Sequence, residues 1–351
     1  MFRSVNQQLS RSTALTPEQV AVVVEQLIDQ EVPAAMKAEF LTAFAQKGET
    51  ADEIASFARE LRDKSIPLPL DSETRNREIL DVCGTGGDRL NTFNISTTVA
   101  LIAASAGVTV AKHGNRAITS QAGSADVLEK LGVRIDLTPE QAAGFLRDHH
   151  FAFLFAPRYH PAFRHIAGAR KLCAEKGQRT IFNFLGPLLN PVRPTAQLIG
   201  VPRPELCEPI ARVLQSLGVR RGMVVSGAVG TAYLDEFSTL GQTVLAEFYQ
   251  ERGFNASTFS ADQFPLQKAT LEDLRGGDSS ANARIVTWIL RGEDRGAKRD
   301  AVLLNSAAAL FVAGQAPSIV AGWEMAAGLI DSGRALAKLE ELITASARLR
   351  S

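Results

Sequence analysis

Apolar side chains recur at helical spacing through the opening stretch of the chain. Thr16-Pro17-Glu18-Gln19 places a hydroxyl before a proline at the first helical position and a glutamine at the third, which predicts a helix running to about Gln30. Met36, Phe40 and Phe44 then fall one turn apart and stop at Gly48. Thr50-Ala51-Asp52-Glu53 forms another capping box ahead of Ile54, Phe57, Ala58 and Leu61. Three helices are therefore expected before Pro67.

The texture changes beyond Pro67. Short β-rich runs, Val108-Thr109-Val110-Ala111, Phe151-Ala152-Phe153-Leu154-Phe155 and Met223-Val224-Val225-Ser226, alternate with segments of helical length. That alternation predicts an α/β fold with a mainly parallel central sheet flanked by helices, preceded by a smaller all-helical domain. The expected division is a helical domain over 1–70 and an α/β domain over 75–351. A helical excursion near 162–190 is expected to rejoin the N-terminal helices. The weakly periodic stretch 250–280, with its turn-like Arg275-Gly276-Gly277-Asp278, reads as connecting structure.

Composition narrows the function. With 351 residues and 45% hydrophobic content the chain can build a large core. Lys plus Arg and Asp plus Glu each total 38, so no global field favours nucleic acid or an anionic membrane. Any anion site must be local. Cys83, Cys173 and Cys207 show none of the short paired spacings of zinc sites, which fits free thiols in a cytoplasmic setting. No signal-like or membrane-spanning apolar run is evident, so the expectation is a cytoplasmic protein without membrane partners.

Two segments carry chemistry. Asp81-Val82-Cys83-Gly84-Thr85-Gly86-Gly87-Asp88 follows a strand-like run and leads to Asn94-Ile95-Ser96-Thr97-Thr98 at a helix start. Glycines allow close backbone approach, and free amides at a helix start attract phosphate. A plain tight turn is the competing reading. The loop ends in Asp88, which excludes a P-loop, and it lacks the third glycine of the dinucleotide pattern. The second segment, Lys112-His113-Gly114-Asn115-Arg116, follows another strand and continues through Ser120 to Gly123-Ser124-Ala125-Asp126, where Ser124 is expected to cap a helix. Ligands of open α/β sheets sit at strand C-termini, so both loops are expected to face one crevice and a polyphosphorylated sugar. A solvated charged turn is the competing reading for Lys112 and Arg116. His113 reads either as a general base or as a residue that orients its loop.

These motifs together resemble the anthranilate phosphoribosyltransferase family. The similarity continues through Phe155-Ala156-Pro157, His160-Pro161, Arg179-Thr180-Ile181-Phe182-Asn183, Leu185-Gly186-Pro187-Leu188, Asn190-Pro191, Leu234-Asp235-Glu236 and Asn305-Ser306-Ala307-Ala308. The resemblance implies transfer of phosphoribose from 5-phosphoribosyl 1-pyrophosphate to the amine of anthranilate, a step of tryptophan biosynthesis, with Mg2+ as cofactor and a homodimer as the assembly. It assigns phosphoribosyl pyrophosphate to Gly84, Gly87, Asp88, Thr92, Asn94, Ile95, Ser96, Thr97, Lys112, His113, Gly114, Asn115, Arg116, Ser120 and Ser124. It assigns anthranilate to Gly84, Asn115 and Arg170, and the metal to Ser96, Asp235 and Glu236. No general base is implied, since an aromatic amine is already nucleophilic when neutral.

Two departures from the family pattern stand out. The segment between Arg170 and Arg179 is longer than the family spacing, which leaves Lys171 as a competitor for the role of Arg170. The loop 117–122 is poorer in serine, although Thr119 keeps a hydroxyl. A phosphorylase of the same fold is the nearest alternative. Its Lys-x-Ser-x-Arg and Gly-His-Thr-Gly-Gly pattern is missing here. A non-catalytic relative that binds nucleic acid would need a basic surface that the neutral balance does not supply.

Overall fold

A computed structural model describes residues 2–117, 121–250 and 253–349. Thr16 and Thr50 cap their helices as the sequence suggests, each closing a reciprocal box with Gln19 and Glu53. Four helices, not three, precede Pro67 among the described residues: Phe2–Leu9, Pro17–Ile28, Ala34–Lys47 and Ala51–Asp63. The additional first helix is polar except for Phe2, Val5 and Leu9, which form one narrow buried stripe. Phe2 stacks on Phe40 at 5.2 Å, and Phe44 and Phe57 complete the aromatic centre.

The helix Arg164–Glu175 lies against Ala34–Lys47, not on the sheet. A Cβ at Gly168 would sit 3.3 Å from that of Ala34, so a larger residue would push the two helices apart. The buried Lys37 ammonium donates to the carbonyls of Asp29 and His165 at 2.6 and 2.8 Å, tying the helices end to end.

The central sheet contains eight strands among the described residues: β1 Ile79–Gly84, β2 Thr109–Gly114, β3 Phe151–Phe155, β4 Ala196–Gly200, β5 Arg221–Val229, β6 Ala232–Leu234, β7 Thr243–Tyr249 and β8 Gly253–Phe259. Their order is β3-β2-β1-β4-β5-β7-β8, with β6 folded back on β5. The first five run parallel, and β7 and β8 complete the sheet antiparallel. β8 corrects the reading of 250–280 as connecting structure. Its residues are largely exposed at the sheet edge, so burial imposed no strong apolar period on them.

Parallel strands covered on both faces read as nearly continuous apolar runs. Val82, Leu198 and Val225 point into one core, under the helices Ile95–Ser105 and Ala297–Val312. Their neighbours Cys83, Ile199 and Val224 point into the other, which is continuous with the N-terminal helices. No helix among the described residues is long and apolar enough to cross a membrane.

Candidate active site

β1 and β4 end in glycine, and β5 carries Gly227 near its end, because a chain segment crosses directly over them. A Cβ on Gly84 would lie 2.3 Å from Asp235 Oδ2, one on Gly200 1.6 Å from the Asp235 carbonyl oxygen, and one on Gly227 2.5 Å from that of Glu236. The segment that needs this space carries the acidic pair. Asp235 Oδ2 accepts from the Gly86 amide at 2.7 Å, and Glu236 Oε1 accepts from the Ser96 amide at 3.2 Å. The amide of Asn305 grips the next peptide at both ends, taking the Phe237 N–H at 2.9 Å and donating to its carbonyl at 3.1 Å.

Burial raises both carboxyls. Asp235 is raised above the ordinary carboxylate range by burial, with the Asp88 charge adding to the effect, and Glu236 goes well above its ordinary value, with Asp235 beside it. Lys112, itself buried and lowered by desolvation, opposes the rise at Glu236. Its ammonium donates to the Val82 carbonyl at 2.6 Å and to Ser96 Oγ at 3.2 Å. Asp88, Asp235 and Glu236 crowd their carboxyl groups together, and a hard divalent cation with oxygen ligands would favour their ionised forms. Among the described residues no three His, Cys, Asp or Glu side chains converge as a complete metal cage. Magnesium needs none, because it completes its shell with water and substrate phosphate.

The first loop is built for exposed amides. Gly86 and Gly87 take φ of 76° and 88° with open space where a Cβ would stand, so glycine serves the backbone conformation there. Arg89 and Asn91 also have positive φ. Such turns make anion-binding concavities. Asp88 steadies the loop by accepting from the Leu90 amide at 3.1 Å. Thr92 forms a bridge with Arg275. Ile95 and Thr97 are buried in the first turn of the helix that follows, Ile95 in the core and Thr97 with its hydroxyl lacking a hydrogen-bond partner among the described residues.

In the second loop, Gly114 lets Ser124 and Phe153 close in, with Ser124 Oγ 2.4 Å from where a Cβ would stand. Ser124 is the first residue of its helix and not its cap, which corrects the sequence reading. Gly123 occupies the cap position, and Asp126 accepts from the Gly123 and Ala117 amides at 2.9 Å each. A carboxylate one turn inside the helix has displaced the hydroxyl. The Asn115 side chain accepts from the Arg116 amide at 2.8 Å. Arg116 pairs with Asp126 and Glu129, so its guanidinium is already engaged. Ser120 lies outside the described residues.

His113 opens a line of rings leading away from β2. Its Nδ1 is 3.2 Å from the Gly186 carbonyl, and its ring lies 5.2 Å from His160. His160 stacks on Phe163 at 5.1 Å, Phe163 meets Phe182 edge-on at 5.8 Å, and the Arg170 guanidinium covers Phe182 at 5.5 Å. Burial holds both histidines neutral, at about 3 and about 4. Arg170 is half-buried, with its pKa lowered by desolvation, and no carboxylate among the described residues pairs with it. Its neighbour Lys171 is exposed. His160, Phe163 and Phe182 had no assigned role in the sequence reading, because their chemistry lies in mutual stacking between distant segments. The same holds for residues 274–282, which clasp the first loop through Leu274, Gly276 and Asn282.

Fold and site together define a glycosyltransferase of the α/β type with a helical bundle. Residues 76–336 match the family described as glycosyl transferase family, a/b domain, and residues 3–65 its helical bundle domain. The chain is 48% identical over 340 residues to an anthranilate phosphoribosyltransferase of Geobacter sulfurreducens, covering 94% of this chain and 95% of the relative. It is 44% identical to that of Alkaliphilus metalliredigens over the full length of both. The crystal structure of the Thermus thermophilus anthranilate phosphoribosyltransferase superposes with a TM-score of 0.88 at 38% identity, covering 97% of this chain and 99% of that one. The Saccharomyces cerevisiae enzyme in complex with PRPP and Mg gives 0.85 at 27%, covering 99% and 98%. The chain belongs to the anthranilate phosphoribosyltransferase family.

Proposed function

We propose that this chain transfers the phosphoribosyl group of 5-phosphoribosyl 1-pyrophosphate to the amine of anthranilate, releasing pyrophosphate, as a step of tryptophan biosynthesis. One observation carries the reading. The end of β2 leads in one direction to a buried acidic pair between amide-rich loops, and in the other to a guanidinium that lies over an aromatic row and pairs with no carboxylate among the described residues. The first arrangement suits a metal-bound polyphosphate, the second a planar aromatic carboxylate.

Amides of the two loops that are not already bonded within the protein would hold phosphate oxygens, with Lys112 and Ser96 beneath them. Asp235, Glu236 and Ser96 would hold magnesium, which when bound offsets the charge of the departing pyrophosphate. The S. cerevisiae relative has been solved with PRPP and Mg, and also with 4-fluoroanthranilate, which supports both halves of the assignment. Arg170 would donate two parallel hydrogen bonds to the anthranilate carboxylate while the stacked rings fix the plane of its ring. Asn115 would contact the same substrate from the second loop. The amine attacks the ribose carbon from the face opposite the pyrophosphate as that carbon gains oxocarbenium character. No side chain need remove a proton beforehand, because the neutral aromatic amine already carries its lone pair, and the proton the nitrogen sheds after attack passes to the departing pyrophosphate or to water. Positioning and charge stabilisation therefore supply the catalysis. A cytoplasmic homodimer is part of the same reading.

The test follows anthranilate fluorescence with phosphoribosyl pyrophosphate and magnesium, omitting each in turn. Signal loss should require all components. Loss of signal without phosphoribosyl pyrophosphate, or none from the folded protein, would refute the assignment.

A further inference from the structure

The first loop is held from behind by residues that follow β8. The Phe93 amide donates to the Leu274 carbonyl at 3.1 Å, and the Gly276 amide donates to the Asn91 carbonyl at 2.9 Å. Gly276 is required here, since a Cβ would stand 2.6 Å from Asn282 Oδ1 and 2.8 Å from Phe93 Cα. Asn282 sits in the first turn of the helix Ser279–Leu290, only 2% exposed, on a helix anchored in the core by Ala283, Val286, Ile289 and Leu290.

Three hydrogen bonds run in series through this residue. The Gly277 amide donates to Asn282 Oδ1 at 2.8 Å, Asn282 Nδ2 donates to Asn94 Oδ1 at 2.8 Å, and Asn94 Nδ2 donates to the Ala122 carbonyl at 3.4 Å. Both ends are backbone groups with fixed roles, an N–H at Gly277 and a C=O at Ala122. That fixes the orientation of both amides, because turning either one sets donor against donor or acceptor against acceptor. The series joins a core-anchored helix to the first loop and the first loop to the second.

We propose that Asn282 is a positioning residue for the phosphoribosyl pyrophosphate site, setting the spacing of the two phosphate-facing loops through Asn94. This rests on the reading that one phosphoribosyl pyrophosphate spans both loops. Asn282 belongs to neither loop, and among the described residues its side chain hydrogen-bonds to the site through Asn94. An aspartate at 282 keeps the shape and the acceptor for Gly277 but removes the donor. Asn94 must then turn its NH2 toward 282 and its oxygen toward the Ala122 carbonyl, which breaks the last joint.

The experiment compares the wild-type protein with Asn282→Asp and Asn282→Ala. Calorimetry measures phosphoribosyl pyrophosphate binding with magnesium, steady-state assays give KM for each substrate, and thermal melts confirm folding. Both variants should bind phosphoribosyl pyrophosphate about tenfold more weakly, the scale of one buried hydrogen bond lost, with KM for anthranilate unchanged. If the alanine variant does not fold, the isosteric aspartate carries the comparison. Unchanged affinity in a folded variant, or an equal rise in both KM values, would overturn the positioning role. Failure of the wild-type protein itself to bind phosphoribosyl pyrophosphate would instead refute the reading of the site.

Discussion

The two halves of the site are made by opposite means. The acidic half is assembled from backbone: Gly84, Gly200 and Gly227, at or near the ends of β1, β4 and β5, admit Asp235 and Glu236, and the amides of Gly86 and Ser96 meet their oxygens. The aromatic half is assembled from side chains of separate segments, His113, His160, Phe163, Phe182 and Arg170, stacked in a row. Backbone-built chemistry requires particular residues at particular positions and so leaves a motif. Side-chain stacking requires only that rings arrive at one place, and it leaves almost none.

The comparison breaks most visibly in the acidic half. Asp235→Asn or Glu236→Gln should lower turnover on the order of 100- to 1000-fold, the scale of removing one preorganised electrostatic contact, without weakening anthranilate binding. Steady-state kinetics with magnesium titrated at fixed substrates checks this. A normal rate in either variant would remove that carboxylate from the metal assignment.

Arg170→Ala is the counterpart in the aromatic half. It should raise KM for anthranilate about 30-fold, as when one partner of a charge pair is lost, while KM for phosphoribosyl pyrophosphate stays put. Lys171→Ala should change neither, because its side chain is exposed. The reverse result would move the carboxylate contact to Lys171.

A smaller effect tests the glycine frame. Gly200→Ala must displace the Asp235 carbonyl, which would lie 1.6 Å from the new Cβ. The cost should be about 1 to 3 kcal/mol of stability, read in denaturant unfolding, together with weakened response to magnesium. Full stability would mean that the acidic segment is not pinned where it lies.

The least change concerns pH. His113 and His160 are held at about 3 and about 4, below the ordinary 6.5. Their neutral burial contributes fully above 6.5, and that contribution is lost as pH falls through 6.5 toward the folded values, because unfolding releases rings that then take up protons. His160→Phe should flatten the slope of unfolding free energy between pH 6.5 and 4 by at most about 1.4 kcal/mol per pH unit. Parallel wild-type and variant curves would show that the His160 ring is not buried neutral.

Much of the architecture was legible in the chain. The capping boxes at Thr16 and Thr50 and the uninterrupted apolar strands state their roles locally, since helix starts and doubly covered strands impose strict residue choices. The first helix and β8 escaped because each buries only a narrow strip or an edge. Within the site, Gly84 through Asp88 and Lys112 could be singled out because a glycine run and a lysine at strand ends stand out locally. Asp235 and Glu236 take their place only from the family resemblance, because an adjacent pair of acidic residues carries no local signal of a metal site. The engagement of Arg116 by Asp126 and Glu129, and the clasp from Asn282, depend on residues brought together only by folding.

The most direct measurement counts products, quantifying anthranilate consumed and pyrophosphate released in the same reaction. One pyrophosphate should appear for each anthranilate lost, and both should stop when magnesium is chelated. Pyrophosphate release without anthranilate loss, or sugar transfer driven by inorganic phosphate, would contradict the account.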